Sequence, residues 1–215
     1  FVIDVFESIG PIHEQTADQV LLEIIGEHSP IETLATDAPL TLPPCFVSCA
    51  ASCEGYEKCK RDEVKWMRAQ YKKAHDRNRK IKHFTPYSQR PVDLYFRYKH
   101  PDEDIFQDET LGANLAPQAA RMQYLQRQLE DVQLIEVWPK LALFYLMKPL
   151  KLSKRDFLNY RHVERGLHMR ERILESLVDE SEVFIYDRDY KKFVHNIAAF
   201  DSLICAWVAL QHGRG

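Results

Sequence analysis

Short runs of β-branched and aromatic residues alternate along the chain with longer segments whose apolar positions recur at helical spacing. Such runs are typical of buried strands, and a 3.6-residue spacing is typical of amphipathic helices. The predicted strands are residues 1–6 (FVIDVF), 31–36 (IETLAT), 132–137 (VQLIEV) and 183–186. The predicted helices are residues 16–26, capped by Thr16, and then 59–82, 115–129, 141–147, 161–178 and 195–212. This alternation predicts an α/β protein with a largely parallel sheet.

Two of the predicted strands carry acidic residues at or near their carboxyl ends. Asp37 follows the strand at 31–36, and Glu136 lies on the strand at 132–137. Open α/β sheets bind ligands beyond the carboxyl ends of their strands, so Asp37 is a candidate for chemistry at that edge. An aspartate before Ala38-Pro39 can equally be a turn or capping residue, and that alternative stays open.

Four of the five cysteines lie close together in the chain. Cys45, Cys49 and Cys53 recur every four residues, which on a helix would stack three thiols on one face, with Cys59 returning from the next turn. Soft thiolates favour zinc or an iron–sulfur cluster, so these four are predicted metal ligands. The spacing lacks the two-residue knuckle usual in zinc sites, and disulfides or core packing are the alternatives. Cys205 lies in an apolar helical run and is predicted to pack in the core.

The segment after the cysteines is basic. Residues 60–82 hold ten Lys or Arg against three acids. Cations at this density, with Trp66, Tyr71 and Phe84 nearby, could follow a phosphate backbone while the rings stack on bases. A solvated helix face is the alternative. The candidate nucleic-acid contacts are Lys60, Arg61, Lys65, Arg68, Lys72 and Lys73.

Length and composition narrow the class of protein. A chain of 215 residues with 45% hydrophobic residues can bury one sizeable core, which favours a single domain. The net charge of -3 exerts no overall attraction for nucleic acid or membrane. No apolar run approaches the roughly 18 to 20 residues of a bilayer span, and no leader is recognisable, so we expect a soluble, cytoplasmic protein without a membrane partner. The chain opens at Phe1 inside an apolar run, which suggests that segments before it are missing.

Five stretches together carry a family resemblance. They are ATDAPLTLP (35–43), TPYSQR (85–90), GANLAPQAARMQYL (112–125), IEVWPKLAL (135–143) and HNIAAFDSLICAWVAL (195–210). In order and spacing they resemble the domain-of-unknown-function family 429, regarded as predicted nucleases of the ribonuclease H fold. The last stretch, in which Asp201 precedes an apolar run, is also similar to the last helix of Holliday-junction resolvases.

The resemblance implies a fold and a site. The expected fold is a single ribonuclease H-like domain over residues 1–215, with a mixed sheet flanked by helices and a cysteine-rich, basic, helical insertion at 45–84 after the strand ending at Asp37. The expected chemistry is phosphodiester hydrolysis by Mg²⁺ or Mn²⁺ bound to carboxylates. Asp37 and Asp201 match the family's acidic positions, and Glu136 and Asp4 are further candidates. An aspartate that opens an apolar helix is also a common dipole partner.

The opening of the chain departs from the family's pattern. Members of this fold begin with an aspartate-bearing strand and a hairpin, whereas here one strand precedes the first predicted helix. We expect that the first two strands are missing and that FVIDVF is the third; otherwise Asp4 is the first-strand aspartate and the hairpin has been lost.

Two functions from different classes follow. The first is a metal-dependent nuclease with Asp37 and Asp201 as ligands and the basic segment holding DNA or RNA. The second is a non-catalytic nucleic-acid-binding or scaffold protein braced by a cysteine-bound metal. A kinase of the actin-like superfamily is disfavoured, because the chain has only seven glycines and no glycine-rich phosphate loop. Substrate, oligomeric state and physiological role are not encoded in any recognisable pattern.

Overall fold

A computed structural model describes residues 2–3, 14–78, 80–100, 105, 109–112, 115–181 and 183–214, and it has a mixed α/β architecture. The strands are β1 (Val2–Ile3), β2 (Thr33–Thr36), β3 (Gln133–Glu136) and β4 (Phe184–Ile185). The helices are α1 (Glu14–Glu27), α2 (Pro44–Val47), α3 (Asp62–Arg77), α4 (Pro91–Lys99), α5 (Leu115–Leu125), α6 (Pro139–Leu146), α7 (Lys154–Asn159), α8 (Arg165–Ser181), α9 (Asp187–His195) and α10 (Ile197–Gly213). A 3₁₀ turn, Gln126–Gln128, follows α5. The predicted α/β class is confirmed.

The chain divides into two compact units. The first unit combines Phe1–Asp37 with Arg127–Gly215, and the second is the continuous segment Ala38–Gln126. In the first unit, β2 and β3 pair in parallel with Thr36 opposite Glu136, and α10 packs on β2. A second parallel pair joins β1 to β4. The predicted parallel pairing is therefore confirmed, but the described strands form two separate pairs and not one larger sheet.

The last predicted helix, residues 195–212, corresponds to α10, and the unpredicted helix α9 meets it at a sharp corner. α9 ends at His195 and α10 begins at Ile197, because Asn196 is extended (φ -115, ψ 113) and its side chain accepts hydrogen bonds from the Ala198 and Ala199 amides. Asparagine is a preferred N-cap for this reason. Among the described helices, none is by itself long and apolar enough to cross a membrane; α9 and α10 pass that test only together, with a bend of 113° between them.

Other helices begin at residues that the periodicity of apolar positions did not predict. α1 begins at Glu14, two residues before Thr16, so Thr16 is not its cap. α4 was not predicted from the periodicity; its buried cap pairs Arg90 with Asp93, and Asp93 also accepts from the Thr110 hydroxyl at 2.6 Å. α7 was also unpredicted, and Ser153 caps it.

The second unit has its own small core. α3 and α4 pack together through Val64, Met67 and Leu94, and Phe84 completes this fully buried cluster. Half-buried aromatic residues and cysteines pack around it: Cys45, Tyr56, Cys59, Trp66, Tyr71 and Tyr98. This cluster anchors one side of the cysteine segment.

The prediction of a cysteine-bearing helix is wrong. Of the four clustered cysteines only Cys45 lies in a helix, the single turn α2, which ends at Val47. Cys49, Cys53 and Cys59 lie in irregular backbone outside any helix, strand or turn, and Gly55, between Cys53 and Cys59, adopts a positive φ of 93°. Glycine tolerates that left-handed conformation, which a continuing helix does not contain.

Candidate functional site

Asp37 and Glu136 lie at the carboxyl end of the β2–β3 pair. Asp37 directly follows the last residue of β2, and Glu136 is the last residue of β3. The pairing continues past both strands, since the Val137 amide donates to the Thr36 carbonyl at 2.8 Å. Asp37 is exposed, whereas Glu136 is half-buried and accepts a 2.8 Å hydrogen bond from the Trp138 indole. The two acids thus share one edge of the sheet.

Asp201 lies on α10, the helix that packs on β2, and is almost fully buried. Its Oδ1 accepts a hydrogen bond from the Tyr160 hydroxyl at 2.9 Å, and its Oδ2 accepts one from Arg161 Nη2 at 2.7 Å. Arg161 Nε also donates to the Tyr160 hydroxyl at 2.9 Å. The carboxylate, phenol and guanidinium therefore form a closed triangle of hydrogen bonds.

The charges of this group and of Asp37 act on one another. Burial raises the pKa of Asp201, the Arg161 guanidinium and Tyr160 hydroxyl oppose that rise, and the negative charge of Asp37 adds to it. Burial, followed by the charges of Asp37 and Asp201, raises the pKa of Cys205 to about 12. Asp37 therefore lies within electrostatic reach of Asp201. Cys205 itself is buried, as predicted.

A buried arginine fixes the turn between α7 and α8 that carries Tyr160 and Arg161, here called the Tyr160–Arg161 corner. Arg170, on α8, is fully buried and donates to the carbonyls of Tyr160 and Val194. Gly166 is in close contact with the same corner, because a Cβ at that position would lie 2.5 Å from the Tyr160 carbonyl oxygen and 2.8 Å from Arg170 Nη1. The corner that presents Tyr160 and Arg161 to Asp201 is thus tightly packed.

Of the predicted acids, Asp37 and Glu136 share the end of the β2–β3 pair, Asp37 acts electrostatically on Asp201, and Asp4 lies outside the described residues. Tyr160 and Arg161 were not predicted as site residues. They stand 41 and 40 positions before Asp201, and no motif connects them to it. Within the described ranges, no three Cys, His, Asp or Glu side chains are already grouped so as to hold an ion.

The four clustered cysteines are all free thiols in the second unit. Cys45 and Cys59 are half-buried, and Cys49 and Cys53 are exposed. Burial raises the pKa of Cys45, with further contributions from the neighbouring thiols of Cys49, Cys59 and Cys53. A hydrogen bond with the Cys53 thiol raises the pKa of Cys49. The four thiols therefore lie within electrostatic range of one another despite the absence of the predicted helix.

Two predicted nucleic-acid contacts have a different role in the structure. Arg61 donates to the Pro44 carbonyl at 2.5 Å and to the Ser48 carbonyl at 3.2 Å, and it also bonds the Ser48 hydroxyl. Arg68 donates to the carbonyls of Tyr56, Glu57 and Cys59 at 2.5, 2.6 and 3.0 Å. The two guanidinium groups hold the backbone of the cysteine segment through their Nη atoms.

The remaining cations of that set are on the surface. Lys60, Lys72 and Lys73 are exposed, and Lys65 is exposed and pairs with Asp62 at 2.9 Å. The predicted aromatic partners are placed differently from expectation. Phe84 is buried in the core of the second unit, and Trp66 and Tyr71 pack against that core, so these rings do not form an open stacking platform.

Comparison with known proteins identifies a family but no individual relative. A family model described as "Protein of unknown function (DUF429)" matches residues 12–215, nearly the whole chain. The predicted family resemblance is thereby confirmed. No curated protein and no solved structure matches the chain.

Proposed function

We propose that this chain, which belongs to the DUF429 family, is a metal-dependent nuclease whose metal-binding carboxylates are Asp37 and Asp201, with Glu136 beside them. The observation that carries the proposal is that Asp37 and Glu136 lie at the carboxyl end of one parallel strand pair, while the charge of Asp37 acts on the buried Asp201 of α10, the helix packed on β2. Ligand sites in open α/β sheets occupy this position. The reaction is hydrolysis, in which water and a phosphodiester give a phosphomonoester and a sugar hydroxyl.

The proposed fold is ribonuclease H-like. Its support is a parallel pair of strands crossed by the closing helix α10, which carries Asp201, together with the family membership. The cysteine-bearing unit Ala38–Gln126 is continuous and begins directly after Asp37. In this proposal it is an insertion into the nuclease fold.

The donor chemistry suits a hard divalent cation. Mg²⁺ prefers carboxylate oxygens and usually takes one or two of them, filling its other positions with water and substrate phosphate. Two protein carboxylates therefore suffice, and a preassembled group of three ligands is not required. Bound metal would activate the attacking water and stabilise the leaving oxygen.

The protein's own residues prepare Asp201 for this role. The buried carboxyl group has a raised pKa, and the charge of Arg161 counteracts that rise and favours the ionised form. The Arg161 side chain is 38% exposed, so it can also reach solvent. We propose that Arg161 exchanges Asp201 for a substrate phosphate oxygen, since guanidinium groups bind both anions in the same planar geometry.

The first test measures manganese binding. Isothermal titration of the protein with Mn²⁺ is compared with the variant Asp37→Asn and with the control Asp131→Asn. Asp131 is exposed and precedes β3, at the opposite end of the strand pair from Asp37. The proposal predicts binding that is weakened at least about tenfold by Asp37→Asn and unchanged in the control. Equal binding by both variants would place the metal elsewhere and overturn the assignment.

The second test measures hydrolysis. Labelled single-stranded, double-stranded and branched DNA and RNA are incubated with the protein and Mg²⁺ or Mn²⁺. Cleavage should stop in excess chelator and in the Asp37→Asn variant, and it should persist in Asp131→Asn. Cleavage that survives Asp37→Asn would belong to a contaminant or to another site. Absence of cleavage on all these substrates would contradict the nuclease proposal.

A second candidate function is nucleic-acid binding without catalysis. It is favoured by Lys65, Lys72 and Lys73, which are exposed on the side of α3 opposite the buried Val64 and Met67. If these lysines contact phosphates, Lys72→Glu/Lys73→Glu should weaken binding and flatten its salt dependence, by about 0.7 to 0.9 in log–log slope per lost contact. The control is Lys148→Glu/Lys191→Glu, at exposed positions of the first unit.

A further inference from the structure

The cysteine segment is held by charged side chains in an unusual way. Arg61 and Arg68 direct two guanidinium groups onto backbone carbonyls at both ends of residues 44–59. Neither end is stabilised by a regular element longer than the single turn α2. The Cys45 amide also donates to the Pro86 carbonyl at 3.0 Å. The backbone that carries the four thiols is therefore fixed by specific polar contacts.

The side chains of this segment are arranged in two pairs. Cys45 and Cys59 pack against the apolar cluster of Val64, Met67, Phe84 and Leu94 and so have restricted positions. Cys49 and Cys53 are exposed, and the Gly55 amide donates to Cys53 Sγ at 3.4 Å. An amide directed at a sulfur is the kind of outer contact that orients a metal-bound thiolate.

We propose that Cys45, Cys49, Cys53 and Cys59 bind one zinc ion as a structural four-thiolate site, with Arg61 and Arg68 as positioning residues. Four thiolates around Zn²⁺ carry a net charge of -2, and the two nearby guanidinium groups balance it. The site belongs to the second unit and is independent of the proposed nuclease activity.

A single zinc ion is preferred to a cluster because it requires only the four thiolates, whereas an iron–sulfur cluster also requires inorganic sulfide. Two ligands of one tetrahedral ion with Zn–S bonds near 2.3 Å have sulfurs roughly 3.8 Å apart. A [4Fe–4S] cluster binds each thiolate through a different iron and therefore spaces the sulfurs more widely.

Zinc also resolves a difficulty of the free thiols. In the described residues no three ligands are preassembled, so binding must draw the exposed Cys49 and Cys53 toward the anchored Cys45 and Cys59. Such coupling of metal binding to local folding is general for small structural zinc sites.

The test begins with the metal content of the full chain purified under reducing conditions. Elemental analysis should find about one zinc per chain, and replacement by Co²⁺ should give the visible spectrum of a tetrahedral thiolate complex. Iron with acid-labile sulfide would overturn the assignment to zinc. Absence of any thiophilic metal, with no uptake of Co²⁺, would overturn the site.

Variants then identify the ligands. Cys49→Ser changes an exposed side chain and should lower zinc affinity at least about tenfold and alter the cobalt spectrum, whereas Cys205→Ala should do neither. Circular dichroism before metal addition shows whether each variant is folded. If Cys49→Ser is folded and retains full affinity and spectrum, the four-cysteine assignment is wrong.

The positioning role of the arginines has its own measurement. Arg68→Gln should lower zinc affinity by about tenfold or more, while the matched control Arg77→Gln, at an exposed position of the same helix, should leave it unchanged. A purely structural role in the apo protein would change thermal stability but leave the cobalt titration unaltered, and that result would remove Arg68 from the proposal.

Discussion

The acidic site and the thiol cluster differ in the partners of their functional side chains. In the first unit the Asp201 carboxylate is paired with Arg161 and with the Tyr160 hydroxyl. In the second unit Arg61 and Arg68 bond backbone carbonyls, and Cys53 Sγ accepts a hydrogen bond from the Gly55 amide. A carboxylate site can therefore be stable without metal. The thiol segment, in contrast, has the features of a structure that metal completes.

The largest effect that separates the two regions should come from removing metal. If the thiols hold zinc, a strong chelator under reducing conditions should unfold the segment around residues 44–59, because structural zinc contributes roughly 10 kcal/mol or more to the folding of its site. Limited proteolysis with mass spectrometry should then cut the second unit and spare α8–α10.

Two controls sharpen that comparison. Re-addition of zinc should restore protection, and Mg²⁺ should not, since hard cations bind thiolates poorly. Equal protection of residues 44–59 with and without chelator would show that the arginine contacts alone hold the segment.

The next effect concerns the corner beside Asp201. Gly166→Ala would place a Cβ 2.5 Å from the Tyr160 carbonyl oxygen and 2.8 Å from Arg170 Nη1. The shifts that accommodate such an overlap typically lower the free energy of unfolding by about 1–3 kcal/mol. Urea unfolding should show this loss, together with a change in the environment of Tyr160.

Gly26→Ala is the matched control, because a Cβ at Gly26 meets no atom within 4 Å and this glycine lies in α1. Alanine there should be neutral or should stabilise the helix by about 0.5–1 kcal/mol. Equal effects of the two substitutions would mean that the corner is not tightly packed.

Sequence patterns predicted those parts of the fold that depend on local alternation. β2, β3 and the acids at their ends follow from short apolar runs and the residues that terminate them. The family membership was also readable, because its stretches are spread along the chain. The closing helix α10 was predicted to within two residues, whereas the short helices α7, which Ser153 caps, and α9 were missed.

The partners of long side chains were not predictable. The density of cations at 60–82 was consistent with nucleic-acid contacts, yet Arg61 and Arg68 bond carbonyls 17 and nine positions away, respectively. Tyr160 and Arg161 reach Asp201 across about 40 residues. Periodicity specifies which face of an element is buried and carries no information about where a flexible polar side chain ends.

The smallest predicted effect tests the charge balance at Asp201. Arg161→Gln removes the neighbouring positive charge and should raise the pKa of Asp201 further, because burial then acts with less opposition. An acid whose pKa is higher in the folded than in the unfolded state stabilises the fold below its unfolded pKa, and this contribution is lost as pH rises through the folded pKa. In the variant, the fall in the free energy of unfolding should therefore continue to a higher pH than in the unmodified protein.

The measurement is a carboxyl NMR titration of Asp201 together with urea unfolding at a series of pH values that begins at the ordinary pKa of an aspartate and rises from there. Asp201→Asn provides the reference, because its difference from the unmodified protein isolates this carboxyl group from all others. Arg165→Gln, at an exposed position at the start of α8, is the control for losing one cation near the corner. If Arg161→Gln and Arg165→Gln titrate alike, the 2.7 Å pairing of Arg161 with Asp201 does not govern the charge of that acid. The proposed exchange of Arg161 between Asp201 and phosphate would then lose its basis.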